Sequence, residues 1–114
     1  MPYLKIQTNQ TLAAEAQAEL LQKASTATAL ALGKPESYVM VALESGCPML
    51  FAGSDAPLAY LELKSIGLSE DGTGNISATL CQLIGNELGI EQNRIYIEFS
   101  NAQRHLWGWD GATF

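Results

Sequence analysis

Only 6 of the 114 residues are lysine or arginine, against 12 aspartates and glutamates, which leaves a formal net charge of -6. A polyanion binds through neutralising cations, so neither nucleic acid nor an anionic membrane is an expected partner. Cysteine is scarce too. Cys47 and Cys81 stand far apart, form no C-x-x-C, and with the single histidine, His105, offer no metal-ligand spacing. Two such thiols read as reduced and structural, and neither a metal nor another cofactor is expected. No apolar run approaches the ~20 residues that span a bilayer. The opening residues lack the basic-then-apolar order of a secretory leader, and no block of like charge forms a tail. The expected address is cytoplasmic.

What is present is core-forming material. Hydrophobic residues make up 47% and charged residues 16%, enough apolar surface for a single domain over residues 1–114. Leu4-Lys5-Ile6-Gln7-Thr8 alternates apolar and polar, the mark of a half-buried strand. Thr11 is a candidate N-cap for an alanine-rich helix over Leu12–Leu32, with Leu20, Leu21, Ala24, Ala27 and Ala31 as its apolar stripe. Gly33 caps that helix and Pro35 forbids its continuation. Tyr38–Leu43 reads as a second strand, turned by Ser45-Gly46-Cys47-Pro48.

The order then repeats. Pro57–Ile66 reads as a strand and Gly67–Gly74 as a loop. Ile76, Leu80, Leu83, Ile84 and Leu88 fall at helical spacing, with Asn75 or Ser77 as the cap and Gly89 as the stop. Ile95–Phe99 closes the series as a strand. Setting Leu32-Gly33 on Leu88-Gly89 (88 − 32 = 56) also lays Val39-Met40-Val41 on Ile95-Tyr96-Ile97. Two β-α-β units follow, each with parallel strands and a right-handed crossover. The fold class is α+β in two layers: a four-stranded mixed sheet with two helices on one face. Apolar residues on its open face would need cover, which another copy of the chain supplies most simply. The aromatic tail from Leu106 to Phe114 is expected to pack against the core or an interface rather than form a helix.

The first six residues bear most directly on chemistry. Proline directly after methionine is small enough for methionine-removing enzymes, and Pro2 then carries a free secondary amine at a strand tip. An ordinary α-amine titrates near ~7.7–8.0, and desolvation lowers that value. Such an amine, neutral at pH 7, is a general base. Pro2 reads equally as an unremarkable second residue, and Lys34 as a solvated cation at a helix end.

Met1-Pro2, Gly33-Lys34-Pro35 with Tyr38, Ser65-Ile66-Gly67, Arg94-Ile95-Tyr96-Ile97, and Gly108-Trp109 with Phe114 stand in that order. Together they resemble the macrophage migration inhibitory factor family of the tautomerase superfamily. The resemblance implies a homotrimer whose sheets enclose a barrel-like channel, with sites at the subunit interfaces. It implies a cofactor-free keto–enol tautomerase of aryl 2-oxo acids such as phenylpyruvate. Pro2 would be the base, while Lys34 and the amide of Ile66 hold the substrate carboxylate. Tyr38, Trp109 and Phe114 would wall the pocket, with Tyr96 entering from a neighbouring subunit. A cytokine-like interaction protein is the alternative.

Several positions depart from the mammalian pattern. Tyr3 stands in place of methionine, Trp107 in place of a smaller aliphatic, and Lys64 in place of a histidine. Leu58-Ala59-Tyr60-Leu61 occupies the stretch of the mammalian C-x-x-C, which removes any basis for thiol–disulfide chemistry there. Glu98 replaces an asparagine and shares a strand face with Tyr96. That carboxylate either opposes anionic substrates, activates a water, or is a solvated strand residue. A water-adding enzyme of the same superfamily usually wants arginines beside the proline, and neither Arg94 nor Arg104 stands at an evident matching position.

Overall fold

The computed structural model describes residues 1–114. Strand β1 (Tyr3–Thr8) leads through helix α1 (Ala14–Leu32) to β2 (Met40–Glu44), and β3 (Ala59–Ile66) leads through α2 (Thr73–Leu88) to β4 (Ile95–Ala102). The strands form one sheet in the order β2-β1-β3-β4. Each β-α-β pair is parallel, and the two units meet antiparallel between β1 and β3. A two-stranded ribbon, β5 (Gly108–Trp109) with β6 (Ala112–Thr113), ends the chain. No helix is long and apolar enough to cross a membrane.

The core lies between the sheet and both helices. Leu4 and Ile6 of β1 and Leu61 and Leu63 of β3 are fully buried against Leu20 and Ala24 of α1 and Ile76, Leu80 and Ile84 of α2. The i, i+4, i+8 spacing puts one face of each helix on the sheet, and burying each large apolar side chain stabilises by ~1.5–3 kcal/mol. The buried stripe of α1 runs through Leu20, Ala24, Thr28 and Ala29, while Leu21, Ala27 and Ala31 are only half-buried. The Thr28 hydroxyl is fully buried without a hydrogen-bond partner. Such an orphan costs ~1–3 kcal/mol. Thr28→Val should therefore stabilise the fold by about 1 kcal/mol, read as a rise of about 4 °C in Tm; an unchanged or lower Tm would show that the hydroxyl is satisfied.

The repeat is stronger in backbone than in sequence. Gly33 and Gly89 adopt nearly identical left-handed conformations, φ 63° and ψ 36° against φ 64° and ψ 36°. After each glycine the next amide bonds back to the fifth residue before it, Lys34 to Ala29 and Ile90 to Gly85, the Schellman closure that glycine permits without Cβ strain. A 3₁₀ turn follows each, Glu36–Tyr38 and Gln92–Arg94, again 56 residues apart (92 − 36 = 56).

Some boundaries differ from the expectation. Tyr38 lies in the first 3₁₀ turn rather than in β2, because its amide bonds to Pro35 and that of Val39 to Glu36. Helix α1 starts at Ala14 behind Ala13, whose side chain offers no cap, so Thr11 is not the N-cap. Helix α2 starts at Thr73, ahead of Asn75 and Ser77. Strand β4 runs on to Ala102, since pairing with β3 needs no apolar side chains. The open face of the sheet is also more polar than expected. Its cross-strand rows include Ala42-Lys5-Glu62-Glu98 and Glu44-Gln7-Tyr60-Tyr96. Such a face is suited to water, and its apolar content alone does not demand cover.

Arg94 fixes the connection over residues 45–58. Its guanidinium donates to the carbonyls of Pro57, Phe51, Ser54 and Ala56 at 3.0–3.2 Å and lies 5.3 Å from the Phe51 ring centre. Phe51 in turn packs on Tyr96, ring centres 4.7 Å apart. Charge-assisted bonds of this kind contribute ~1.5–3 kcal/mol each in isolation, and a set sharing one side chain is not additive. Arg94→Ala should cost about 2 kcal/mol and speed hydrogen exchange at the paired Phe51 and Ser54 amides. Arg94→Lys should not restore it, because an ammonium lacks the planar fork. Unchanged exchange in both variants would remove Arg94 from this role.

Candidate active site

The N-terminus enters the sheet beside the start of β2, where the Met40 amide bonds to the Pro2 carbonyl at 3.0 Å. The side chain of Pro2 is fully buried. Above it opens a cavity of about 580 Å³ walled by Tyr3, Tyr38, Lys64, Trp107, Trp109 and Phe114, with Met1 and Pro2 at its base. The tail supplies three of those aromatics. Asp110 and Gly111 both take positive φ, 52° and 76°, as a tight two-residue turn requires. That turn folds β6 back on β5 and brings Phe114 parallel to Trp109 (5.7 Å, 11°), while Tyr38 meets Trp109 edge-on (5.8 Å, 79°). The tail thus covers its own chain's cavity. The Asp-Gly dipeptide is the sequence signal for this ribbon, where the tail's composition suggests only aromatic packing.

The α1 closure aims Lys34 back toward the N-terminus, and its ammonium donates to the Ile66 carbonyl at 2.6 Å. The terminal amine, on Met1 in the full chain, lies below its ordinary value of 8.0. Desolvation is the largest cause, then the positive charge of Lys34, then the close approach of the two groups. All three disfavour the protonated form. An apolar, aromatic-walled cavity thus holds an amine biased toward its free base, with a cation alongside.

Pro2, Tyr38, Trp109 and Phe114 converge on this cavity. Lys34 and Ile66 meet each other and are not among its lining residues, though Lys34 stands close to the terminal amine. Tyr96 and Glu98 do not join them within one chain. They lie on β4, two strands from β1, where Tyr96 is 64% exposed. The Glu98 carboxylate accepts from the Tyr60 hydroxyl at 3.0 Å, which also contacts Glu62 at 3.2 Å. Burial and these two carboxylates push the Tyr60 hydroxyl up to about 12. Arg94 is engaged at the far end of the sheet from Pro2. Ser37 and Met40 also line the cavity; Ser37 reaches it because the 3₁₀ turn at Glu36–Tyr38 precedes the strand, and neither residue type signals a site in the sequence.

The sequence profile of the macrophage migration inhibitory factor family matches residues 1–114. The chain belongs to that family. It is 43% identical over 115 residues to the macrophage migration inhibitory factor homolog of Brugia malayi, covering 100% of this chain and 99% of that one. It is 35% identical over 101 residues to D-dopachrome decarboxylase-B of Xenopus laevis, covering 87% of this chain and 85% of that one. The crystal structure of the Prochlorococcus marinus homologue superposes with a TM-score of 0.91 at 44% identity, over 98% of each chain. The two-helix, four-stranded mixed sheet is therefore the fold of this family.

Proposed function

We propose that the protein is a cofactor-independent keto–enol tautomerase of aryl 2-oxo acids, with phenylpyruvate as the representative substrate and the Pro2 amine, freed by removal of Met1, as general base. The observation that supports this reading is the environment at the N-terminus: the Met1 amine is lowered by desolvation and by Lys34, and the buried Pro2 lines the same aromatic-walled cavity, where its own amine would stand once Met1 is removed. Tautomerisation only moves a proton between carbon and oxygen, so one base and a stabiliser of developing charge are sufficient. The neutral amine takes the C3 proton, the electron pair shifts to the carbonyl oxygen, and the proton returns there to give the enol. The reverse sequence gives the ketone. Lys34 with the Ile66 amide holds the carboxylate, and Tyr38, Trp109 and Phe114 stack on the aryl ring.

The working form in this proposal is a homotrimer. Strands β2 and β4 are both free edges, and unpaired edges are templates for pairing with another copy. A neighbour docked there would bring the exposed Tyr96, with Glu98, to this cavity, and the hydrophilic open faces would line a water-filled channel. Protein shown by intact mass to lack Met1 should interconvert the phenylpyruvate tautomers and scatter light as a trimer at micromolar concentration. Absence of turnover would overturn the enzymatic reading, and a monomer would overturn the shared site.

A further inference from the structure

Lys64 occupies a place in the cavity that the proposed roles leave unused. It stands on β3 directly across from Tyr3 of β1, and both side chains line the cavity with Pro2. Its side chain is 48% exposed, and its one charged neighbour is the Glu62 carboxylate at 3.8 Å. That separation is too long for a hydrogen bond. Glu62 is also shared, since its other oxygen accepts from the Tyr60 hydroxyl at 3.2 Å. Lys34 differs in every respect, because its ammonium is already seated on the Ile66 carbonyl at 2.6 Å. One wall of the cavity thus carries a cation whose donors are unclaimed.

Lys64 and Ile66 are two residues apart on one strand, so their backbones lie ~6.5–7 Å apart. Lys34 therefore approaches through the Ile66 carbonyl and the terminal amine, while Lys64 lines the cavity itself from two residues along the same strand. A substrate whose 2-oxo acid end is held at Lys34 would extend into the cavity that Lys64 lines.

We infer that Lys64 is a specificity-determining residue that makes this site favour 2-oxo acids carrying a second anionic group at the end remote from the reacting carboxylate. The inference rests on the tautomerase reading, but it makes a separate claim about binding. The second anion takes the donors that Glu62 reaches only loosely. A monoanionic aryl substrate leaves Lys64 solvated at the rim, so the lysine acts on preference between substrates more than on chemistry at Pro2.

The test is a matched pair, phenylpyruvate and its para-carboxy derivative, which differ by one carboxylate. Michaelis constants are measured at low ionic strength for the wild type, Lys64→Gln and Lys64→Arg, because a rim charge is screened by salt. The preference for the para-carboxy compound, taken as the ratio of the two constants, should fall about twofold to fivefold in Lys64→Gln, in keeping with a partly exposed ion pair. Lys64→Arg should retain it, and added salt should erode it in the wild type. A ratio that is the same in the wild type and Lys64→Gln would overturn the inference. If no protein turns over either compound, the tautomerase reading fails separately. Quenching of Trp107 and Trp109 fluorescence then gives the two dissociation constants, and the same ratio decides for or against Lys64.

Discussion

Pro2→Ala, with Met1 confirmed absent by mass, should lower kcat/KM for phenylpyruvate by up to about 10²–10⁴-fold, the whole contribution of a positioned general base, since the primary amine that remains is less well fixed. The substitution exchanges a rigid secondary amine for a primary one with an extra rotatable bond. It leaves the Pro2 carbonyl that accepts from the Met40 amide, so the β1–β2 pairing survives. The lost ring leaves a small void at a buried position, a cost of order ~1 kcal/mol, which thermal unfolding will register without loss of the fold. Protein that retains Met1 should also be slower, since the Pro2 nitrogen is then an amide and the terminal amine belongs to Met1, one residue out of place and without the ring that fixes it. If Pro2→Ala turns over phenylpyruvate at the wild-type rate, the amine is not the base, and the cytokine-like interaction reading takes precedence.

Lys34→Ala should act in two separable ways. Loss of a charge-assisted contact to the substrate carboxylate is worth ~1.5–3 kcal/mol, or about 10- to 100-fold in kcat/KM, expressed mainly as a higher Michaelis constant. The second effect has a definite sign. A cation beside the amine disfavours its protonation, so removing that cation raises the amine's pKa. At pH 7 less of the amine is then free base, and activity should recover part of its loss as the pH is raised. Lys34→Arg should hold the pKa nearer to that of wild type because it keeps the charge. A Michaelis constant and a pH profile both unchanged in Lys34→Ala would remove Lys34 from the site.

The halves of the chain show why some of this was legible in the sequence and some was not. Gly33 and Gly89 announce helix ends because only a residue without a Cβ takes the left-handed closure cheaply, so the β-α-β repeat could be read from two glycines and the apolar spacing. The same shift of 56 residues sets β1 on the start of β3 and Pro2 on Leu58 (58 − 2 = 56). Leu58 is buried, with its carbonyl bonded to the Thr8 hydroxyl and its amide to the Asn9 side chain. The second half therefore fills with leucine the slot where the first half holds its amine, which is why one chain has one such cavity. No periodicity distinguishes these two uses of the same position.

The misplaced residues have local causes. Tyr38-Val39-Met40 is an apolar run that satisfies a strand pattern, yet the closure at Gly33 and the ring of Pro35 impose a turn before pairing can begin. That turn is what carries the Tyr38 ring to Trp109. Thr28 was missed because α1 is so rich in alanine that its buried stripe has little contrast. Lys64 stood out in the sequence only as a departure from a pattern. Its position opposite Tyr3 depends on the antiparallel register between the two repeats, a long-range pairing that no local window contains.

The dependence of kcat/KM on pH for phenylpyruvate, measured on Met1-free protein, tests the central claim most directly. The neutral amine is the working form, so activity must rise with pH as the amine loses its proton and level off once it is free base. In the full chain, desolvation and the neighbouring Lys34 lower the Met1 amine below its ordinary 8.0. The Pro2 amine, freed at the same strand end, should feel the same two influences, so the rise should be centred below 8.0. A profile that is flat through this range, or one whose midpoint lies at or above 8.0, would contradict the account.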